Sequence, residues 1–177
     1  MKPYQTERQK RGMRGVIKSF DKREHAIYDV KGKDAIMKVA KKLINDDSIS
    51  TIENPNPHGI DLLSLNHKGE VVACWEVEVR HGNWRDDCPF PFHEINCIER
   101  KDHQWRKSKS FTDKIPFKLA ENYQVFYVQL NKLCTRAVII HGDTVLKYPL
   151  KPWTNRKSTG EYIRQVPIAE TKQIILI

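Results

Sequence analysis

The spacing of apolar and polar residues predicts one helix followed by several strands. From residue 34 to residue 44, apolar residues recur every three or four positions and lysines occupy the opposite side, which predicts an amphipathic helix. Short apolar segments with strand character follow at 49–52, 60–65, 71–79, 124–130 and 136–141. The segments 124–130 and 136–141 are predicted to pair as a hairpin joined by residues 131–135. This order of elements predicts a single α/β domain.

The other segments give weaker patterns. Residues 80–98 are rich in His, Pro, Cys and aromatic side chains and are predicted to form a loop. The charged segment 99–109 is compatible with a helix. Residues 143–150 are interpreted as a continuation of the strands, and 161–166 and 171–177 as further short strands.

Composition adds a preference for an anionic partner. The 177 residues are 39% hydrophobic and 30% charged, and 31 Lys and Arg against 22 Asp and Glu give a net charge of +9. Such an excess favours nucleic acid over a membrane surface. Positive residues concentrate in 1–23, which we interpret as a basic arm preceding a domain at 24–177, and in 100–118 and 147–157.

The cysteines and the N-terminus indicate a cellular location. Four cysteines occur without a CxxC pair, which favours reduced thiols in the cytoplasm over a disulfide framework. The chain is expected to have no signal peptide or membrane-spanning segment. A zinc site formed by His81, Cys88, His93 and Cys97 is an alternative for the 80–98 loop, although the paired short spacings of ordinary zinc modules are absent.

Three acids are predicted to converge on the hairpin of 60–65 and 71–79. A turn at Lys68-Gly69 places Asp61 directly across from Glu76, and Glu78 is on the same face as Glu76. Both faces of this hairpin are otherwise apolar, so the acids are expected to repel one another unless a cation binds them. Oxygen ligands of this kind favour Mg²⁺ or Mn²⁺. The alternative is that the acids are solvated and pair with Arg80 or Lys68.

The segment Pro57-x-Gly-x-Asp61, a turn, and Glu76-x-Glu78 resembles the PD-(D/E)xK nuclease superfamily. The resemblance extends over residues 34–141 and is closest to small phage-type and Holliday-junction-resolvase-like members. It implies a restriction-endonuclease-like core, with a mixed central sheet, an antiparallel hairpin carrying the acids, and flanking helices. The chain departs from the family pattern at Glu78, where the superfamily usually has lysine.

The resemblance also implies roles for individual residues. Asp61, Glu76 and the Val77 carbonyl would hold the metal, and Glu78 would orient or deprotonate water. The missing positive charge would come from Lys101 or Arg100. Alternatively, Glu78 is an extra metal ligand, or catalysis has been lost. The candidates for an additional acid from the first helix are Asp34, Asp29 and Glu24.

The expected function is a Mg²⁺-dependent endonuclease acting on branched, junction or specific duplex DNA. Cleavage of junctions or palindromic sites favours a homodimer. The predicted nucleic-acid-binding residues are the basic side chains Arg11, Arg14, Arg80, Arg100, Arg106, Lys107 and Lys109. Trp84 and Trp105 are candidates for stacking on bases. The alternatives are a catalytically inactive nucleic-acid-binding protein on the same fold and, less favoured, a zinc-stabilised adaptor.

Overall fold

The structure is a computed structural model, and it describes residues 22–80, 82, 84–153 and 160–176. Its longest helix, α1 (Lys22–Ile44), precedes the first strand. The strands are β1 (Ser50–Glu53), β2 (Leu62–Leu65), β3 (Val71–Val79), β4 (Glu94–Ile98), β5 (Leu119–Leu130), β6 (Arg136–His141), β7 (Leu150–Pro152), β8 (Tyr162–Pro167) and β9 (Lys172–Ile175). Short helices are α2 (Asp102–Trp105), α3 (Lys109–Thr112) and α4 (Gly142–Leu146), with 3-10 turns at Glu99–Lys101 and Ile168–Glu170.

The larger sheet is mixed, as the resemblance implied. In the described ranges it has the strand order β1-β2-β3-β5-β6-β9. The β3–β5 pairing is parallel, and the other pairings are antiparallel. Both predicted hairpins, β2–β3 and β5–β6, are present. The protein is therefore an α/β protein whose acid-bearing hairpin adjoins a parallel strand.

Helix α1 covers one face of this sheet. Ile36 and Ala40 are fully buried against a cluster that includes Leu62, Trp75 and Leu130. Gly32 makes the close approach possible, because a Cβ at this position would lie 2.8 Å from a methyl carbon of Val79. The predicted apolar stripe is confirmed, and it packs the helix behind the strands that carry the acids.

A second layer covers the opposite face. It consists of a smaller antiparallel sheet, ordered β4-β8-β7 in the described part of the chain, together with the short helices. Ile95, Trp105, Phe111 and Val166 are buried there with residues of the large sheet such as Tyr127. Strand β4 replaces part of the loop predicted at 80–98. It pairs with β8, and the sequence of neither strand alone predicts this pairing.

Two predicted boundaries were wrong. Helix α1 begins at Lys22, twelve positions before the predicted start at residue 34, so it includes the end of the basic arm proposed for residues 1–23. Residues 1–21 of that arm lie outside the described part.

Residues 142–146 form helix α4 and not a strand, since the side chain of His141 accepts a hydrogen bond from the Asp143 N–H. Gly142 fits because a Cβ there would meet the Val125 carbonyl oxygen at 3.2 Å.

The register of the acid-bearing hairpin is as predicted at its open end. Leu62 pairs with Trp75 and Leu63 with Cys74, which continues to Asp61 opposite Glu76. Near the turn the prediction was wrong by one residue, because a bulge pairs Leu65 with Val71. The bulge lies at the far end of the hairpin and leaves the alignment of the acids unchanged.

All four cysteines are free thiols, with Cys74 and Cys97 buried. Burial raises the pKa of both these thiols to about 12. Within the part of the chain that the structure describes, no helix has the length and apolar character needed to cross a bilayer.

Replacement of Ser64 tests a polar contact in the core. The Ser64 hydroxyl is fully buried, accepts a hydrogen bond from the Trp75 indole N–H at 2.9 Å and lies 2.8 Å from the Thr51 hydroxyl. Ser64→Ala is expected to lower the free energy of unfolding by about 1–3 kcal/mol, because the buried indole loses its partner. Urea denaturation measures this change. Ser110→Ala, an exposed serine, is the control, and equal unfolding midpoints for both variants would contradict the prediction.

Candidate functional site

Asp61 and Glu76 form the centre of the site, where β2 begins opposite β3. Asp61 Oδ2 accepts a hydrogen bond from the Val77 N–H at 2.8 Å. Burial and the negative charge of Glu76 raise the pKa of Asp61 to about 6, and the Val77 N–H, Lys33 and Lys101 act in the opposite direction. The two acids therefore interact as like charges, as the hairpin register predicted.

Lys33 reaches this site from helix α1 and was missed by the sequence analysis. Its ammonium nitrogen lies 3.7 Å from Asp61 Oδ1 and 3.5 Å from Glu53 Oε2. Lys33 precedes the buried Ile36 by three positions and Ala40 by seven, so it belongs to the sheet-facing stripe of the helix. Extending the helical period toward the N-terminus would have found it.

Lys101 and Gln104 bind the other acid from the second layer. The Lys101 ammonium pairs with Glu76 Oε1, and Gln104 Nε2 donates to Glu76 Oε2 at 2.9 Å. The Lys101 side chain is 21% exposed and that of Glu76 is 12% exposed, so the ion pair is largely shielded from water. The structure thus places Lys101, but not Arg100, against the predicted acids, and Arg100 is exposed.

Gln104 also carries an unsatisfied polar atom. Its residue is 6% exposed, and its Oε1 has no hydrogen-bond partner within the described residues. The charged pattern of 99–109 gave no reason to select this glutamine. A buried carbonyl oxygen without a hydrogen-bond donor lowers the stability of the folded protein. A donor from water or from a ligand would remove that cost here.

Glu78 has a different environment from the other two acids. It is exposed, and its Oε2 accepts a hydrogen bond from the Tyr127 hydroxyl at 2.6 Å. Burial and the charge of Glu78 hold the Tyr127 pKa well above its usual value. Tyr127 in turn accepts from Gln129 at 2.8 Å, and Arg80 donates to Gln129 at 3.4 Å. A hydrogen-bonded row therefore extends from Glu78 to the end of β3.

A buried ion pair fixes the turn that carries Lys101 and Gln104. Arg164 on β8 donates to both carboxylate oxygens of Asp102, with its Nε 3.0 Å from Oδ1 and its Nη2 2.6 Å from Oδ2. Arg164 Nη1 also donates to the Tyr148 carbonyl oxygen. Asp102 lies between Lys101 and Gln104 in the chain, so the pair holds both side chains over Glu76.

The structure separates other predicted acids from the site. Asp34 and Asp29 are exposed on α1, and no hydrogen bond or ion pair joins either of them to Asp61 or Glu76. The Glu24 side chain lies outside the described residues. Among the side chains with a described position, no three His, Cys, Asp or Glu form a metal-binding group. The acids that come together are Asp61 and Glu76.

The predicted zinc ligands do not converge in the described part of the chain. Cys97 is buried on β4, His93 is exposed, and Cys88 donates weakly to the Arg85 carbonyl oxygen at 3.6 Å. His81 lies outside the described residues. The two candidate stacking residues are buried, Trp84 at 6% exposure and Trp105 at 1%, which favours a role in the core for both rings over stacking on bases.

The predicted nucleic-acid-binding residues differ in exposure and in the contacts that their side chains already make within the protein. Arg106 is exposed, with its Nε 3.7 Å from Asp102. Lys107 donates to the Tyr123 carbonyl oxygen at 2.8 Å, and Lys109 pairs with Asp113 at 3.0 Å. Arg80 lies over the ring of Phe92. Arg11 and Arg14 lie outside the described residues.

No protein-family model matches the chain, and a search of curated proteins gives no significant match.

Arg164 is expected to be important for stability. Arg164→Leu removes the buried guanidinium that donates to both Asp102 oxygens and leaves, among the described residues, only the exposed Arg106 at 3.7 Å, which should lower the free energy of unfolding by about 3–5 kcal/mol. Chemical denaturation measures the loss. Arg106→Ala removes an exposed guanidinium near the same carboxylate and should cost at most about 1 kcal/mol. Similar losses for Arg164→Leu and Arg106→Ala would contradict the role given to the buried pair.

The Asp61 pKa predicts a pH dependence of stability in metal-free buffer. Because the folded-state pKa of about 6 exceeds the ordinary value of 3.8, the folded chain binds more protons in this interval. Stability should therefore fall as pH rises from about 4 to about 6, by roughly 1–3 kcal/mol, relative to Asp61→Asn. Denaturation of parent and variant at several pH values in EDTA measures the difference. The prediction would be contradicted if the difference in free energy of unfolding between parent and Asp61→Asn were independent of pH, or if it shifted in favour of the parent as pH rises.

Proposed function

We propose that this protein is a metal-dependent endonuclease that hydrolyses phosphodiester bonds in DNA, on a restriction-endonuclease-like core. The observation that carries the proposal is the pair of partly buried, mutually repelling carboxylates, Asp61 and Glu76, beside two lysines. Acids in this arrangement favour a hard divalent cation, and lysines favour a phosphate. The mixed sheet and the net charge of +9 agree with this function.

The residues present fit Mg²⁺ or Mn²⁺. Asp61 and Glu76 would hold the ion with the Val77 carbonyl, which faces the same side of β3 as the Val77 N–H that binds Asp61. The buried Gln104 Oε1 offers an acceptor to a water near Glu76. When bound, the cation supplies Lewis-acid chemistry, polarising a phosphoryl oxygen and making water more nucleophilic.

The protein's own side chains would position the reactants. Lys33 and Lys101 favour the charged form of Asp61 and are suited to contact the phosphate. Glu78 would orient the attacking water or accept its proton, and the Tyr127 hydroxyl fixes one of its oxygens. In this arrangement Lys101 supplies the positive charge that the superfamily takes from the position of Glu78.

A second candidate is a nucleic-acid-binding protein that does not cleave. The specific observation in its favour is the direct pairing of Lys101 with Glu76, together with the Gln104 hydrogen bond. These partners already satisfy one of the two proposed metal-binding acids. In this case the lysines would serve only to neutralise the carboxylates, and the basic surface would bind phosphates.

Cleavage assays test the proposed function. The parent is expected to cut plasmid, branched or junction DNA with Mg²⁺, and Asp61→Asn or Glu76→Gln should reduce the rate by about a hundredfold or more. Glu94→Gln replaces an exposed acid on β4 and should leave the rate unchanged. A parent that binds but never cuts, or variants that cut as fast as the parent, would contradict the nuclease proposal; the former result favours the second candidate.

Metal binding has a separate readout. Carbon-13 NMR titration of the Asp61 carboxyl should give a pKa near 6 in EDTA and a lower value with Mg²⁺, since a bound cation stabilises the carboxylate. Glu76→Gln should weaken this response to Mg²⁺. An Asp61 pKa that Mg²⁺ leaves unchanged would contradict the metal site itself.

A further inference from the structure

Arg80 and Phe92 form a stack at the surface where β3 ends. The guanidinium carbon of Arg80 lies 4.5 Å from the centroid of the Phe92 ring and 5.6 Å from that of Phe90. Phe92 meets Phe90 at an interplanar angle of 62°, with centroids 5.6 Å apart. Phe90 is 6% exposed, whereas Phe92 is 37% exposed. The stack therefore rests on the core through Phe90 and presents planar surface to solvent.

This stack is connected to the proposed active site. Arg80 donates to Gln129, Gln129 donates to Tyr127, and Tyr127 donates to Glu78. The Arg80 N–H also bonds to the Leu130 carbonyl oxygen at 2.8 Å, which continues the extended backbone of β3. Two residues of extended chain separate the Cα atoms of Glu78 and Arg80 by about 7 Å. The stack is therefore close enough to Glu78 to contact a nucleotide that adjoins a phosphate bound beside Asp61 and Glu76.

We propose that Arg80 and Phe92 form a stacking platform for an unpaired nucleobase of the strand on which Asp61 and Glu76 act. A planar guanidinium over an aromatic ring offers a base both π-surface and positive charge. A base in an intact duplex has its faces covered by its neighbours, so the platform selects single strands or splayed ends. The inference rests on the proposed function, from which it takes the nucleic-acid substrate.

The exposure of the aromatic residues supports Phe92 for this role. Trp84 and Trp105 are buried and have no free ring face for a base. Tyr162 is 43% exposed but lies on β8 of the smaller sheet, paired with Pro152. Phe92 combines exposure with a hydrogen-bonded connection, through Arg80, to Glu78.

Fluorescence anisotropy with labelled oligonucleotides tests the platform, and EDTA prevents cleavage. The parent is expected to bind oligothymidylate more tightly than a blunt duplex. Phe92→Ala should weaken single-strand binding by about fivefold or more and change duplex binding little, because stacking on one base is lost. Phe92→Leu keeps an apolar side chain and should behave like Phe92→Ala, while Phe92→Trp should retain binding. Leu133→Ala removes exposed apolar surface elsewhere and is the matched control.

A fluorescent base reports stacking directly. A single strand containing 2-aminopurine should lose fluorescence on binding the parent and Phe92→Trp, but not on binding Phe92→Leu. Equal affinity of parent and Phe92→Leu for single strands, or equal quenching by both, would overturn the platform. Oligouridylate in place of oligothymidylate distinguishes RNA from DNA, and Phe92-dependent binding of either supports an unpaired base as the ligand.

The platform and the nuclease can fail independently. Phe92-dependent binding without any cleavage in Mg²⁺ would support the platform and contradict the endonuclease. Cleavage that depends on Asp61 while single-strand binding is insensitive to Phe92 would support the endonuclease and overturn the platform.

Discussion

The buried ion pair between Arg164 and Asp102 is the interaction on which the site depends. A carboxylate removed from water is tolerated only when it is paired and hydrogen-bonded, and Asp102 obtains its partner from a strand of the other sheet. The pairing fixes where the short helix α2 lies over the large sheet. Lys101 and Gln104, on either side of Asp102, reach Glu76 as a result.

Local sequence patterns predicted the part of the site that one hairpin forms. The period of two in β2 and β3 was sufficient to align Asp61 with Glu76, because strand pairing within a hairpin is set by a short turn. The bulge near Leu65 altered the register only close to that turn. The amphipathic period likewise identified the buried side of α1, and the same period places Lys33 there.

The rest of the site depends on pairings between distant segments. The parallel register of β3 with β5 places Tyr127 beside Glu76 and Gln129 beside Glu78. The sequence of neither strand alone determines this register. Gln104 and Lys101 depend on the packing of the second layer. Net charge was also a coarse guide, since Lys101 and Lys107 bond to other parts of the protein and are not simply free surface cations. The exposure of each aromatic side chain, which the sequence does not give, determines that Phe92 and not Trp84 can contact a ligand.

The parallel pairing of β3 with β5 has a consequence for folding. The chain between these strands, residues 80–118, contains β4, α2 and α3, so the segment that covers the acids is also the crossover connection. Closing this long connection costs chain entropy before the strand contacts form, and contacts of high sequence separation slow folding. The hairpin with Asp61 and Glu76 can form from local contacts, whereas Lys101 and Gln104 arrive only after the crossover closes. A ribosome-bound chain ending before β5 would therefore expose the Glu76 carboxylate without Lys101 and Gln104, while Lys33 of α1 is already available to Asp61, and the complete site appears late in synthesis.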